Sequence, residues 1–106
     1  MLLAYTRAVS PTLAECELTH LERVAIDLPR AVAEHQAYER ALRRSGAQVR
    51  RLPAAPDYPD AVFVEDTAVI FDELAIITRP GAESRRGERR AVAETLAAHR
   101  PIEIVR

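Results

Sequence analysis

The chain has 106 residues, of which 48% are hydrophobic, and its 15 basic and 16 acidic residues leave a formal net charge of -1. This composition can bury the core of one small domain and excludes a disordered segment. The balanced charge argues against a nucleic-acid or membrane-surface protein, so we expect neither nucleic acid nor a membrane as a partner.

The cysteine content, the first residues and the lengths of the apolar runs indicate the cellular compartment of the protein. Cys16 has no second cysteine with which to form an internal disulfide. Residues 1–7 lack the basic region and the long apolar region of a signal peptide. The apolar runs of the chain are also too short to span a bilayer. We therefore expect a soluble cytoplasmic protein.

The first half of the chain is predicted to form a strand, a helix and a second strand. In chain order we place a strand at 2–9, a short extended piece at 24–26, a helix at 29–45, a strand at 48–52 and a proline-rich loop at 53–59. Pro29 and Gly46 are the residue types that typically begin and end a helix. The helical spacing of its apolar residues predicts one face that carries Ala31, His35, Tyr38 and Leu42.

The second half is predicted to form the order strand, strand, helix, strand, which the first half repeats more loosely. We place the strands at 61–72, 74–79 and 101–106 and the helix at 88–99, with a tight turn at 72–73 between the first two strands. Ser84 is a candidate N-cap of the helix, whose apolar face is expected to carry Val92, Leu96 and His99. Repeats of this kind usually bury their core against neighbours. Because nothing covers the edge of the last strand, the pattern suggests an incomplete architecture.

Two adjacent carboxylates, Glu65 and Asp66, interrupt an apolar run at 61–71. The β-branched and aromatic residues of that run are typical of a buried strand. Two buried anions would cost several kcal/mol each unless a cation or hydrogen bonds meet them. Either the strand is broken at this point, or a positive group meets the pair. A second charged segment, 78–87, follows about one hairpin later.

Two segments of the second half resemble a known family. Residues 63–69 read FVEDTAV and residues 75–86 read AIITRPGAESRR, which is similar to the signature of the dimethylarginine dimethylaminohydrolases. These belong to the guanidino-modifying superfamily with the pentein fold. The resemblance implies an α/β propeller of five strand-strand-helix-strand modules. Residues 1–106 would be the N-terminal part of one such domain, with modules at about 1–56 and 57–106.

The resemblance also implies an activity. Family members convert Nω-methylated arginines, asymmetric dimethylarginine and monomethylarginine, to citrulline with release of dimethylamine or methylamine. A cysteine thiolate attacks the guanidinium carbon, and a histidine protonates the departing amine. Water then resolves the covalent intermediate, and no metal or other cofactor is needed. The positions of that cysteine and histidine have no counterpart here, so we expect an N-terminal piece that is inactive in isolation.

Five positions match substrate-binding residues of the family. Glu65 and Asp66 match the acids that hold the substrate guanidinium, and Asp60 matches a third acid on the substrate wall. Arg85 matches a cation that binds the substrate α-carboxylate. Leu18 matches a backbone carbonyl on a mobile lid that contacts the substrate. The roles of the acids make physical sense, because a planar, weakly hydrated guanidinium suits bidentate pairing with carboxylates.

Other polar residues are interpreted as structural. Cys16 and His20 would share a helix face, but an isolated cysteine is usually buried and inert. We attribute Glu88 to the helix dipole and expect Arg86 to be solvated. No metal-site spacing links the three histidines, His20, His35 and His99. We expect a solvated basic face from Arg40, Arg43, Arg44, Arg50 and Arg51.

Two alternative functions stay open. One is another guanidino-modifying hydrolase, such as an arginine deiminase. The other is a non-catalytic α/β domain that associates with itself or with a complementary C-terminal chain, because the predicted final strand has an open edge.

Overall fold

A computed structural model describes residues 2–18 and 22–106. The chain divides into two compact units, Met1–Val62 and Phe63–Arg106. None of the helices within the described ranges is both long and apolar enough to cross a membrane.

The first unit is a strand-helix-strand arrangement. It consists of β1 (Leu3–Arg7), a short 3-10 helix (Leu13–Glu15), α1 (Leu28–Arg44) and β2 (Gln48–Leu52). The two strands pair in parallel, with Leu3 opposite Gln48 and Arg7 opposite Leu52. Parallel neighbours need a long crossover connection, which α1 provides.

Helix α1 begins and ends near the residues that the sequence indicates. Asp27 is its N-cap, and its Oδ1 accepts a hydrogen bond from the Arg30 N–H at 3.1 Å. Pro29 lies in the first turn, where its missing N–H costs nothing. Gly46 has a φ of +101°, a conformation that glycine adopts without steric penalty. The predicted helix is therefore confirmed to within one residue at each end.

The inward face of α1 differs from the predicted one. Glu39 is completely buried, whereas Tyr38 is 55% exposed. The prediction followed apolar residues, but the buried position holds a carboxylate whose charge is met by Thr6 and Arg51. The piece expected to be extended at 24–26 is not part of a sheet, since residues 22–27 contain no strand.

The second unit has the predicted order of strand, strand, helix, strand. Its elements are β3 (Ala68–Ile70), β4 (Ala75–Ile77), α2 (Arg89–Ala97) and β5 (Ile102–Ile104). The sheet order is β3-β4-β5, with β3 antiparallel and β5 parallel to β4. Helix α2 contacts β4 and β5. The core of the unit consists of buried apolar residues of the helix and the central strand, Ala75, Ile77, Val92 and Leu96.

Three details of the second unit correct the predictions. The strand expected over 61–72 is confined to β3, because the chain forms a 3-10 helix at Val64–Asp66. There it leaves the Glu65 carboxylate exposed rather than burying it in a sheet. His99 is exposed rather than part of the apolar face. Ser84 is not an N-cap, because it lies inside a second 3-10 helix, Glu83–Glu88.

Candidate functional site

The candidate site of the second unit is built on its two 3-10 helices. Hydrogen bonds donated by two threonines hold the first of these helices, Val64–Asp66, in place. The Thr67 Oγ1 donates to the Val64 carbonyl at 2.6 Å, and the Thr78 Oγ1 donates to the Asp66 carbonyl at 2.6 Å. The backbone N–H of Thr78 also donates to the Thr67 carbonyl at 3.0 Å. Asp66 is thereby fixed beside the end of β4.

Asp66 and Arg85, two of the predicted site residues, form an ion pair. The Arg85 Nη1 donates to the Asp66 Oδ2 at 2.8 Å, and its Nη2 lies 3.3 Å from the Phe63 carbonyl oxygen. The Asp66 side chain is 53% exposed, whereas that of Arg85 is only 13% exposed. Both alternatives raised by the adjacent carboxylates therefore hold: the strand is broken, and a cation meets one of the acids.

Glu88 binds the other edge of the Arg85 guanidinium. The Arg85 Nε donates to Oε2 at 3.0 Å, and its Nη2 donates to Oε1 at 2.9 Å. Burial opposes the charge on Arg85, but hydrogen bonds to Glu88 and Asp66 outweigh it and raise the pKa of Arg85 above its usual range. This contact was not predicted from the sequence. The available signal was the three-residue spacing of Arg85 and Glu88, which places them on one side of a helical turn.

Glu65 precedes Asp66 in the first 3-10 helix, and we call the set Glu65, Asp66, Arg85 and Glu88 the Arg85 cluster. The Glu65 side chain is exposed, and its carboxylate has no hydrogen bond or ion pair to any other described residue. Three carboxylates and one guanidinium leave the cluster with an excess of negative charge. Of these carboxylates, those of Glu65 and Asp66 are exposed and favour a cationic ligand.

The remaining predicted site residues, Leu18 and Asp60, lie in the first unit. Asp60 is only 6% exposed, and its Oδ2 accepts a hydrogen bond from the Glu17 N–H at 3.0 Å. Asp60 thus holds the backbone one residue before Leu18, whose side chain is partly exposed. The structure brings Leu18 and Asp60 into one neighbourhood through Glu17.

Cys16 and His20 are the remaining candidates. Cys16 is buried, and its carbonyl accepts a hydrogen bond from the Arg23 Nη2 at 2.7 Å. The partner considered for it, His20, lies outside the described residues. Within 2–18 and 22–106, no three histidine, cysteine, aspartate or glutamate side chains are placed to hold a metal ion.

Arg86 is not the solvated residue that we expected. Its side chain is partly buried, and its Nε donates to the Pro80 carbonyl at 3.1 Å. A longer contact joins its Nη2 to the Gly81 carbonyl. Arg86 therefore stabilises the turn between β4 and the second 3-10 helix.

Comparison with known proteins places the chain in a family. The family described as "N,N dimethylarginine dimethylhydrolase, eukaryotic" matches residues 18–104. A Streptomyces coelicolor protein named N(G),N(G)-dimethylarginine dimethylaminohydrolase is 47% identical over 94 residues, which are 89% of this chain and 36% of that protein. A Pseudomonas aeruginosa protein of the same name is 44% identical over 80 residues, which are 76% of this chain and 32% of that protein.

A solved structure extends the likeness to the fold. The Pseudomonas aeruginosa enzyme, as a mutant complexed with citrulline, superposes with a TM-score of 0.89 at 35% identity. The match covers 100% of this chain and 43% of that one. The fold is thus part of a pentein-type α/β propeller. The chain belongs to the dimethylarginine dimethylaminohydrolase family, and it spans about a third of the length of the curated relatives that it matches.

Proposed function

We propose that this chain supplies substrate-binding residues for the hydrolysis of Nω-methylated arginines, such as asymmetric dimethylarginine and monomethylarginine, to citrulline. The observation that carries the proposal is that Asp66 pairs with a guanidinium held by Glu88, while the adjacent acid, Glu65, is exposed. Family membership and the citrulline complex of the structural relative support it.

In this proposal Glu65 and Asp66 bind the substrate guanidinium. A guanidinium presents a planar fork of N–H donors that pairs well with carboxylates. Glu65 is exposed, and Asp66 is about half exposed while Arg85 fixes its orientation. Both carboxylates can therefore receive a ligand without a large rearrangement of the unit.

Arg85 and the first unit have complementary roles in the proposal. The charge of Arg85 suits the substrate α-carboxylate. The Leu18 carbonyl contacts the substrate, and Asp60 forms part of the substrate wall while holding the neighbouring backbone through Glu17.

The covalent chemistry needs groups that we propose lie in further sequence of the same protein or in a complementary chain. A thiolate attacks the guanidinium carbon, and a histidine protonates the departing dimethylamine or methylamine. Water then displaces the thiolate and leaves citrulline. We also propose a cytoplasmic location, because a lone cysteine suits a reducing compartment.

A chimaera tests the proposed function. This chain replaces the matching segment of the Streptomyces coelicolor relative, and citrulline release is measured from asymmetric dimethylarginine, monomethylarginine and free arginine. We expect release from the methylated substrates and a large loss in Glu65→Gln and Asp66→Asn. Glu83→Gln, which neutralises an exposed acid, is the matched control. A clear preference for free arginine would favour the deiminase alternative, and a chimaera that folds but releases no citrulline would contradict the proposal.

The isolated chain is a second test. We expect no citrulline from asymmetric dimethylarginine, because Cys16 is buried and no acid–base partner of its thiol is seen among the described residues. Citrulline release that disappears in Cys16→Ser would identify Cys16 as a nucleophile and would contradict this assignment of roles.

An association through the second unit is part of the same proposal. Strands β3 and β5 are the edges of its sheet. Several large apolar residues on or beside these strands are exposed, namely Val69, Ile70, Phe71, Ile104 and Val105. Exposed apolar residues beside open strand edges favour pairing with another chain. A well-folded chain that is strictly monomeric in light scattering would argue against such an association.

A further inference from the structure

We propose that Glu88 is a positioning residue of the substrate site, acting through Arg85, and this inference rests on the proposed function. The sequence attributes Glu88 to the helix dipole. Its position in the structure calls for a different explanation, because its carboxylate is nearly inaccessible and is directed at a predicted substrate-binding cation.

The Glu88 carboxylate binds Arg85 and does not cap the helix N-terminus. Glu88 is the N-cap residue of α2, but its side chain accepts no capping hydrogen bond from the first turn. The carboxylate instead receives the Nε and Nη2 of Arg85, and its side chain is 1% exposed. A cation that pairs with a buried anion at two points offsets much of the cost of burying it.

The two-point contact determines the orientation of Arg85. A planar guanidinium held through both Nε and Nη2 cannot rotate about the Cδ–Nε bond without breaking a charge-assisted hydrogen bond. The Nη1 atom is thereby directed at the Asp66 Oδ2, 2.8 Å away. Glu88 thus fixes Arg85, and Arg85 in turn fixes one of the two acids proposed to bind the substrate guanidinium.

The rigidity of the supporting segment strengthens this role. Arg85 and Glu88 are three residues apart in the 3-10 helix Glu83–Glu88, which leads directly into α2. Sites supported by helices and by residues behind the binding groups hold their geometry better than sites on loops. A displacement of about 1 Å at a reacting centre can lower a rate on the order of a hundredfold.

The positioning contact is tested first in the 106-residue chain, by NMR of the arginine Nε–H groups. The Arg85 signal is assigned as the one that disappears in Arg85→Lys. In the unsubstituted chain we expect this proton to exchange slowly with water, and in Glu88→Gln to exchange about tenfold faster or more. Glu88→Asp, which keeps the charge on a shorter stem, should give an intermediate rate, and the exposed Glu83→Gln should give no change. An unchanged Arg85 signal in a folded Glu88→Gln chain overturns the proposal.

Kinetics of the chimaera test whether the contact matters to the substrate. We expect Glu88→Gln to raise KM for asymmetric dimethylarginine about tenfold or more with a smaller fall in kcat, and Glu88→Asp to recover part of the loss. A KM that is unchanged or lower in Glu88→Gln overturns the positioning role. If the unsubstituted chimaera is inactive, the proposed function fails on its own, and the NMR result still decides whether Glu88 fixes Arg85.

Discussion

Glu39 of α1 and Arg51 of β2 form a two-point ion pair in the first unit. The Arg51 Nε lies 3.0 Å from Oε2, and its Nη2 lies 2.5 Å from Oε1. Thr6 of β1 donates its hydroxyl to the same Glu39 Oε2 at 2.6 Å. The His35 Nε2 is 4.0 Å from that oxygen. One buried carboxylate therefore ties the helix to both strands of the unit.

The Glu39 carboxylate predicts an acid-sensitive stability. The hydrogen bond from Arg51, with a smaller one from Thr6, lowers the pKa of Glu39 from 4.5 to about 2 although burial opposes the charge. A pKa that is lower in the folded state stabilises the protein above the unfolded pKa, and this contribution is lost as the pH falls through the folded pKa. The free energy of unfolding should therefore fall by about 3 kcal/mol between about pH 4.5 and pH 2. Urea unfolding at a series of pH values measures it.

The variant Glu39→Gln identifies the source of that pH dependence. We expect it to be about 3 kcal/mol less stable than the unsubstituted chain at pH 7 and nearly equal near pH 2. Glu34→Gln is the control, because Glu34 is exposed on the same helix and its pair with Arg30 contributes about 0.5 kcal/mol at most. An equal loss of stability at pH 7 and pH 2 in Glu39→Gln would show that the charge is not the cause.

The Thr6 hydroxyl gives a second, smaller prediction. Thr6→Val keeps the shape of the side chain but removes the donor to Glu39, so we expect a loss of about 1.5–3 kcal/mol, the usual range for a hydrogen bond to a charged group. The acid transition should also move to higher pH, because one interaction that lowers the pKa of Glu39 is gone. Thr6→Ser should retain most of the stability. Equal stabilities of the valine and serine variants would contradict a role for the hydroxyl.

Much of the fold follows from local signals in the sequence. The bounds of α1 were predictable because Asp27, Pro29 and Gly46 act on their own backbone. The order of the second unit was predictable from the alternation of apolar runs and turns. The burial of Glu39 was not predictable, because the partners of its carboxylate are 33 and 12 residues away in the sequence. Helical periodicity carries no information about such distant partners.

The site shows the same division between local and distant signals. The adjacent acids were visible as charges in an apolar run, and the break of the strand at that point was one of two stated alternatives. The pairing of Asp66 with Arg85 joins residues 19 apart, and only the fold brings them together. Glu88 was misinterpreted because an acid in the first turn of a helix usually needs no explanation beyond the dipole.

The arginines of the chain also have a structural role, which the composition alone does not show. All 15 residues of the lysine and arginine types are arginines. Several of them donate to backbone carbonyls, namely Arg7, Arg23, Arg86, Arg89 and Arg100. A guanidinium can meet two carbonyls at once, as Arg89 does at Thr78 and Val105, which a lysine ammonium does with less fixed geometry.

The ends of α1 give a third prediction. Gly46→Ala should cost about 1–2 kcal/mol, because an alanine at a φ of +101° is strained even though no neighbouring atom lies within 4 Å of the added Cβ. Asp27→Ala should cost about 1 kcal/mol through loss of the N-cap. Gly81→Ala is the matched control for the glycine, because the added Cβ again meets nothing and no positive φ is found there. Equal effects of the two glycine substitutions on thermal unfolding would show that φ is not the cause.

The adjacent acids of the Arg85 cluster give the last prediction, which separates stability from function. In the isolated chain Asp66→Asn should lower the free energy of unfolding by about 0.5–1 kcal/mol, because it removes a partly exposed ion pair with Arg85. Glu65→Gln should change it by less than about 0.5 kcal/mol, because its exposed carboxylate is unpaired among the described residues. Added salt should reduce the Asp66 effect. In the chimaera both variants should lose most of their activity toward asymmetric dimethylarginine. Full activity in a Glu65→Gln chimaera would remove that carboxylate from the proposed site.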